Sequence, residues 1–412
     1  MQSWWFRASR KALPLVAIPR QAVAESGGLA GRASKVDSAL PAFTGSWSRS
    51  AEAARSVAGR PPEVPRQARR IIFHILASWW ATLSTSSGSS TSSFSGDASN
   101  RSRYLGLAGA DEGELFQRVA DCRRASGNRS LATLAALDRA GVFLFAMERP
   151  SEAEVLFREV LRGCEDMLGP SHPDTLWSLN NVGVSLKQLG RLRDAEDFLG
   201  EALARRRRLL GRMHPNTLAS ENNYAVLLKK MGNLSAAEKM YREVLDGRLK
   251  VLGDDHPDTL TTENNLAVLL TQIGQLDEAE FFQRQALKGS RARFGDMNAD
   301  TLICVDNLAA LLFGRGRLSE AEYLFRESAN GFKAIMGPRH PDTLRSLGNV
   351  GAVLSVKGDW DKANMVLQEA CAGLRDVLGV DHPDTIFCET NLREVQEVRA
   401  EFARRTFRGI VA

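Results

Sequence analysis

Cysteine is scarce in this chain, which has five among 412 residues and no Cys-x-x-Cys pair. Zinc knots and disulfide frameworks depend on paired or regularly spaced cysteines, so the sequence predicts neither kind of site. We expect the cysteines to be small buried side chains in reduced surroundings. They are Cys122, Cys164, Cys304, Cys371 and Cys388.

Motifs of catalysis are missing as well. The sequence has no Gly-rich phosphate loop, no Gly-x-Ser-x-Gly turn and no His-Glu-x-x-His pair. These are the short signatures of phosphate binding, of serine hydrolases and of zinc proteases. We therefore predict that the chain is not an enzyme and that it binds no cofactor and no metal ion.

A membrane-spanning segment is not predicted either. The apolar run Ile71–Leu83 has 13 residues and is interrupted by His74, whereas a spanning helix needs about 20. Two interpretations stay open for this run: a short amphipathic or partner-binding helix, and a loosely collapsed segment. It lies in a leader, residues 1–103, that carries 14 Lys and Arg against 5 Asp and Glu, a net charge of +9, and leaves residues 104–412 at −4.

The leader is rich in Ser, Ala and Arg, and four basic residues precede its first acidic residue, Glu25. This composition resembles an organelle transit peptide, and a disordered tail is the alternative. The stretch Ser84–Ser102 is rich in Ser, Gly and Thr and predicts a flexible linker. We therefore expect a folded domain over residues 104–412, located in the cytoplasm or, through the leader, in a mitochondrion or plastid.

What the chain does contain is one motif repeated every 42 residues. His-Pro-Asp-Thr or a near copy begins at His172, His214, His256, His340 and His382, and Asn-Ala-Asp-Thr takes its place at Asn298. A Gly stands fifteen residues after the Thr in five of the copies, and an Ala-Glu pair follows four of these glycines. Because a unit of this size cannot bury its apolar face alone, such units stack into a solenoid.

Each unit is predicted to form a hairpin of two helices, A and B. Pro173 suits the first position of helix A because its missing N–H would be unpaired there, and Asp174 complements the helix dipole. Gly190 ends helix A, and helix B ends at Gly211. The repeated histidines are expected in a loop and capping role rather than as zinc ligands, because equivalent positions in stacked hairpins lie on the order of 10 Å apart.

Small residues recur at one position of each helix, where they allow a partner helix to approach closely. In helix A they are Gly141, Gly183, Ala225, Ala267, Ala309 and Gly351, and in helix B they are Ala153, Ala195, Ala237, Ala279, Ala321 and Ala363. In the last copy Arg393 takes this position. The final helix is therefore predicted to be a solvated end cap, which a solenoid needs.

This pattern resembles the tetratricopeptide repeat (TPR), lengthened from the usual 34 residues to 42. His-Pro-Asp-Thr, Asn-Asn-Leu-Ala at residues 264–267 and Leu-Gly at residues 252–253 are similar to the repeats of kinesin light chains and of nephrocystin-type proteins. The resemblance covers roughly residues 111–405. It implies an all-α fold, a right-handed α-solenoid of about six TPR hairpins plus end helices.

The resemblance also implies a binding site. One Asn recurs in helix A of six consecutive units, and Arg139 takes this position in the unit before them. In the TPR families that the chain resembles, Asn at this position points into the concave groove and holds the backbone of an extended peptide, for which an amide suits because it both donates and accepts. Alternatively, each Asn bonds the backbone of its neighbour and fixes the angle between repeats. The residues are Asn181, Asn223, Asn265, Asn307, Asn349 and Asn391.

Basic residues accompany these asparagines. Lys187, Lys229 and Lys230 lie one and two turns beyond the Asn position, with Arg139 nearby, and such a patch would favour an acidic peptide or a free carboxylate. A solvated helix face is the alternative. Nucleic acid is not an expected partner, since residues 104–412 are net acidic and contain few Trp and Tyr residues.

Together these features predict an adaptor or scaffold whose groove binds an extended peptide of a protein partner. An organelle-imported assembly or regulatory factor and a self-associating structural scaffold are the alternatives. Kinesin light chains also carry a long N-terminal heptad segment for the kinesin heavy chain, and residues 1–103 contain no such repeat. A kinesin heavy chain is therefore a disfavoured partner.

Overall fold

Fourteen helices and no strands make up the part of the chain that the structure, a computed structural model, describes, which is residues 111–147 and 149–411. They are α1 (Glu112–Ser126), α2 (Leu131–Ala146), α3 (Pro150–Leu168), α4 (Pro173–Gln188), α5 (Leu192–Leu210), α6 (Pro215–Lys230), α7 (Leu234–Leu252), α8 (Pro257–Gln272), α9 (Leu276–Phe294), α10 (Ala299–Gly314), α11 (Leu318–Met336), α12 (Pro341–Lys357), α13 (Trp360–Leu378) and α14 (Pro383–Val411).

The helices from α2 to α13 pair into six hairpins, with α1 and α14 at the two ends. The even-numbered helices are the A helices and their successors are the B helices. Each helix packs against the next one along the chain, and successive A helices also touch, as α4 and α6 do. This arrangement confirms the predicted all-α solenoid of TPR hairpins.

Histidine caps the start of most A helices. His172, His214, His256, His340 and His382 each accept, through Nδ1, a hydrogen bond from the backbone N–H two residues later, at 3.1–3.2 Å. In the copy without His, Asn298 Oδ1 accepts the same bond at 2.9 Å. The predicted capping role is thus confirmed, and it survives the replacement because an amide oxygen also satisfies the free N–H of a helix start.

The recurring small residues let the helices of a hairpin approach closely. Ala195 at the helix B position is fully buried. A Cβ added to Gly183 of α4 would come within 2.7 Å of Leu199 Cγ in α5, closer than real carbon atoms pack. The glycine position therefore fixes how near helix B lies to helix A, as the sequence predicts.

The final helix α14 presents polar side chains where earlier A helices bury small or apolar ones. Arg393 and Gln396 are exposed at such positions, and Arg399 is exposed as well, as are Met231 and Lys357 at its matching positions. This exposure agrees with the predicted end cap, since no later helix follows in the described part of the chain.

The cysteine prediction is wrong for two residues. Cys371 of α13 and Cys388 of α14 form a disulfide, with their Cα atoms 5.5 Å apart, while Cys122, Cys164 and Cys304 are free. The two cysteines belong to different units, which the sequence pattern treats as separate. In the fold helix B of one unit packs against helix A of the next, so the two side chains meet across that contact.

The leader lies outside the described residues. This concerns the predicted transit peptide, the apolar run Ile71–Leu83, the Ser-rich linker and the start of the folded domain after Arg103. Among the helices from α1 to α14, none combines the length and the apolar character that crossing a bilayer requires.

Candidate functional site

The recurring asparagines form a ladder that joins consecutive A helices. Five of the six donate from Nδ2 to a side-chain oxygen 43 residues earlier in the preceding A helix, and we call these five contacts the amide ladder. Its rungs are Asn181 to Asp138 (3.4 Å), Asn223 to Asn180 (3.1 Å), Asn265 to Asn222 (3.4 Å), Asn307 to Asn264 (3.0 Å) and Asn349 to Asp306 (3.4 Å).

Sequence reasoning missed the acceptors of this ladder. The alternative it left open expected each Asn to bond a neighbour's backbone, whereas the acceptor in every rung is a side chain. The signal was present one residue before the Asn position, where Asp138, Asn180, Asn222, Asn264 and Asp306 recur with the same period. Two adjacent columns of one repeat therefore act as donor and acceptor between neighbouring units.

Further side chains hold the acceptors in place. Asp138 Oδ1 also accepts from Trp177 Nε1 at 3.2 Å, and Asn264 Oδ1 accepts from Gln283 Nε2 at 2.7 Å. Asp306 accepts from Ser328 and from Ser346, at 2.7 and 2.9 Å. Burial raises the pKa of the Asp306 carboxyl. The rungs are thus anchored to the core rather than free to swing.

The ladder leaves hydrogen-bonding capacity unused. Among the described residues, Asn181 Oδ1, Asn223 Oδ1 and Asn222 Nδ2 have no hydrogen-bond partner. Asn181 is completely buried and Asn223 is 3% exposed. Buried polar atoms are nearly always paired in proteins. These three atoms are therefore unsatisfied in the structure, although none of them takes part in a rung.

The lysines lie on the same side of the A helices as the ladder. In α4, Asn181, Val184 and Lys187 follow one another at spacings of three residues, so each adjoins the next on the helix surface in a row that winds around the helix. Lys229 occupies the matching place in α6, and Lys230 follows it. We call this face of the A helices the ladder face.

Two of the three lysines are buried. Lys187 is 1% exposed and Lys229 is 5% exposed, so the solvated-face alternative does not hold for them. Within the described part of the chain Lys187 Nζ has no hydrogen-bond partner. Lys230 Nζ donates to Gln188 Oε1 at 3.4 Å. The fold brings the three lysine side chains together, and we call them the lysine cluster.

Burial and mutual repulsion change the acidity of this cluster. Burial lowers the pKa of Lys187 well below its usual range, and the charges of Lys230 and Lys229 lower it further. Burial and the charge of Lys230 lower the pKa of Lys229 to about 7. An anion placed here would favour the charged form of both groups and relieve their repulsion.

Arg139, which takes the Asn position of the first hairpin, is exposed on α2. It stands next to the ladder acceptor Asp138 and is not itself a rung. Of the predicted site residues, the asparagines are thus brought together by the ladder and the lysines by their cluster, while Arg139 belongs to neither. No three His, Cys, Asp or Glu side chains of residues 111–147 and 149–411 are grouped as metal ligands.

Comparison with protein families gives one match. A family model described as tetratricopeptide repeat matches residues 132–208, 174–250, 216–292 and 301–376. No curated protein sequence matches the chain.

Several solved structures have a similar fold. TPR-like repeats ascribed to a kinesin light chain of Podosopora anserina are 22% identical over 51% of this chain and 97% of theirs, with a TM-score of 0.43. BtubC (BKLC) of P. vanneervenii is 21% identical over 58% of this chain and 94% of its own, with a TM-score of 0.46. NprR in complex with its cognate peptide NprX is 14% identical over 73% and 82%, with a TM-score of 0.46.

Proposed function

Because the chain belongs to the tetratricopeptide repeat family and is therefore a protein-interaction scaffold, we propose that its ladder face binds an extended peptide of a partner protein. The amides hold the backbone of this peptide. The lysine cluster holds an acidic side chain or a free carboxylate of the same peptide.

The observation that carries this proposal is the buried ammonium of Lys187. A buried charge without a partner is costly, and proteins normally pair it or lose it. Lys187 is 1% exposed, has no hydrogen-bond partner among the described residues and lies beside two further lysines. Such an arrangement destabilises the empty protein and becomes favourable once a carboxylate is bound between the ammonium groups.

The amide ladder supports the proposal through its unused atoms. Asn181 Oδ1 and Asn223 Oδ1 accept from backbone N–H groups, and Asn222 Nδ2 donates to a backbone C=O. Contacts of this kind do not depend on the side chains of the ligand. Selectivity then comes from the lysine cluster, which favours peptides with a negative charge at one place.

Fluorescence anisotropy with labelled synthetic peptides tests the proposal. The probe is an extended peptide of about 12 residues with a block of Glu at one end, compared with the same peptide carrying Gln. We expect the Glu peptide to bind more tightly, and we expect Lys187→Met to weaken it about tenfold through loss of one charge-assisted contact.

Lys187→Met should at the same time raise the free energy of unfolding, by about 1–3 kcal/mol, because it removes a desolvated charge and keeps the volume. Lys239→Met is the matched control, since Lys239 is exposed on the B helix α7 and should change neither quantity. Equal binding of the Glu and Gln peptides, or unchanged binding in a folded Lys187→Met protein, contradicts the proposal.

A further inference from the structure

The amide ladder lacks its last rung. Asn391 of α14 is in register to donate to residue 348, but Gly348 stands there in place of the Asn or Asp of the five earlier units. Asn391 is 1% exposed, and neither its Nδ2 nor its Oδ1 has a hydrogen-bond partner among the described residues. A whole amide is therefore buried beside a position that carries no side chain.

Room for a Cβ exists at this missing rung. A Cβ added to Gly348 would meet only Cys388 Sγ at 3.7 Å and Ala370 Cβ at 4.0 Å, which are ordinary contact distances. The glycine is therefore not required by close packing, in contrast to Gly183. In the repeat, Asn391 and Gly348 take the two positions at which Asn349 donates to Asp306.

Two carboxylates follow Asn391 along α14, the half-buried Glu394 and the exposed Glu397. Glu394 and Glu397 follow at spacings of three residues, so they continue the ladder face of α14. The earlier units have Val or Ala in place of Glu394, and Lys229 and Lys187 in two of the places that match Glu397. The ladder face thus carries positive charge at α4 and α6 and negative charge at α14.

One oxygen of the Glu394 carboxyl is also buried and unpaired. Its Oε2 has no hydrogen bond in the described part of the chain. Burial and the charge of Glu397, partly opposed by Arg393, raise the pKa of this carboxyl to about 7. The general polarity of an end cap explains exposed residues such as Arg393. It does not explain the buried Asn391 amide, which has no hydrogen-bond partner among the described residues.

We propose that Asn391, Glu394 and the space beside Gly348 form a site for a Lys or Arg side chain of the bound peptide, and we call it the basic-residue site. The Asn391 oxygen and the Glu394 carboxylate accept from the ammonium or guanidinium group, which has donors only. This inference rests on the proposed function. It adds that the peptide carries charges of opposite sign at its two ends and binds in one orientation.

The spacing of the two sites defines the peptide further. Four repeats separate Lys229 of α6 from the matching Glu397 of α14, and neighbouring hairpins lie on the order of 10 Å apart. An extended chain advances about 3.3 Å per residue. The acidic and basic residues of the ligand should therefore be about 12 residues apart.

Peptide binding to the full-length protein tests this inference. Three labelled peptides share one Glu block: the first has a neutral tail, the second has Lys about 12 residues from the block, and the third has Lys next to the block. Each is made with the Glu block at either end, so that both chain directions are covered. We expect the distant Lys to tighten binding about tenfold in one direction, and the adjacent Lys to give no such gain.

Two variants test whether the gain in affinity comes from the basic-residue site. Gly348→Asn fills the space and pairs Asn391, and Glu394→Gln removes the carboxylate. Both variants should abolish the gain in affinity that the distant Lys gives. The neutral-tailed peptide should bind to both as it binds to the wild type. Glu369→Gln, at an exposed residue of α13, is the matched control and should keep the gain.

The outcomes separate the two proposals. Binding of the neutral-tailed peptide without any gain from the distant Lys overturns the basic-residue site and leaves the proposed function standing. A gain that persists in Gly348→Asn and Glu394→Gln also overturns it. Failure of the neutral-tailed Glu peptide to bind contradicts the proposed function and this inference with it.

Discussion

Restoring the missing rung of the amide ladder should stabilise the C-terminal end of the solenoid. The change is Gly348→Asn, which places an amide oxygen opposite Asn391, whose own amide is buried and unpaired among the described residues. The space around Gly348 accommodates the new Cβ, with contacts at 3.7 and 4.0 Å. The rest of the side chain repeats the geometry of Asn180, which accepts from Asn223 at 3.1 Å.

Two contributions set the expected size of the effect. Replacing a mid-helix Gly by Asn gains a few tenths of a kcal/mol in helix propensity, about a third of the gain for Ala. Pairing a buried amide gains about 1 kcal/mol for the hydrogen bond, and more when it also satisfies a group that was unpaired. We therefore expect the free energy of unfolding to rise by about 1–2 kcal/mol.

A double-mutant cycle separates the energy of the new hydrogen bond from the change in helix propensity. The free energies of unfolding of the wild type, Gly348→Asn, Asn391→Ala and the double variant give a coupling energy in which helix propensity cancels. We expect about 1–2 kcal/mol of coupling, with slower amide hydrogen exchange in α14. Gly348→Ala is the control and should show no coupling to Asn391. A coupling for Gly348→Asn no larger than that of the control would refute the ladder as a source of stability.

Two further predictions concern groups outside the ladder. Burial and Asp254 raise the pKa of Glu263 to about 7, so this carboxyl favours the folded state below its unfolded pKa, and that advantage is lost as pH rises through about 7. Between pH 4.5 and 8 the wild type should lose about 1–2 kcal/mol more stability than Glu263→Gln in chemical denaturation, after allowance for solvent screening, and equal pH slopes would contradict this. The Cys371–Cys388 disulfide closes a loop over a sequence separation of 17, so reductant should lower the free energy of unfolding by about 3 kcal/mol. Reductant should have no effect on the variant with both cysteines changed to Ser, and an unchanged wild type would show that the bond does not form.

Much of the fold follows from local chemistry that the sequence displays directly. Pro at the first position, an acceptor before it and Gly after the end define most A helices within a few residues of their bounds, and the period fixes how many hairpins there are. The histidine caps could be predicted because they depend only on the backbone two residues away. The end of helix B could likewise be predicted at Gly211, which has a φ of 81°.

The contacts between units were harder to predict. The acceptor of Asn223 lies 43 residues earlier, so it cannot be found from the surroundings of either residue alone. The Cys371–Cys388 disulfide could not be predicted for the same reason, because it joins helix B of one unit to helix A of the next. The burial of Lys187 likewise depends on the packing of the assembled units and not on its own helix.

The repeated rungs allow the protein to be shortened by whole 42-residue units. Because every rung joins the same two positions of adjacent units, excision of one full period, such as residues 217–258, would bring Asn265 opposite Asn180 and restore a matching pair. Any cut that is not a multiple of the period would leave donors and acceptors out of phase. Units from the middle are thus interchangeable modules, whereas the last one is not, since Gly348 leaves it without the common connector. Circular dichroism per residue of such a shortened chain, unchanged from the full-length protein, would demonstrate this modularity.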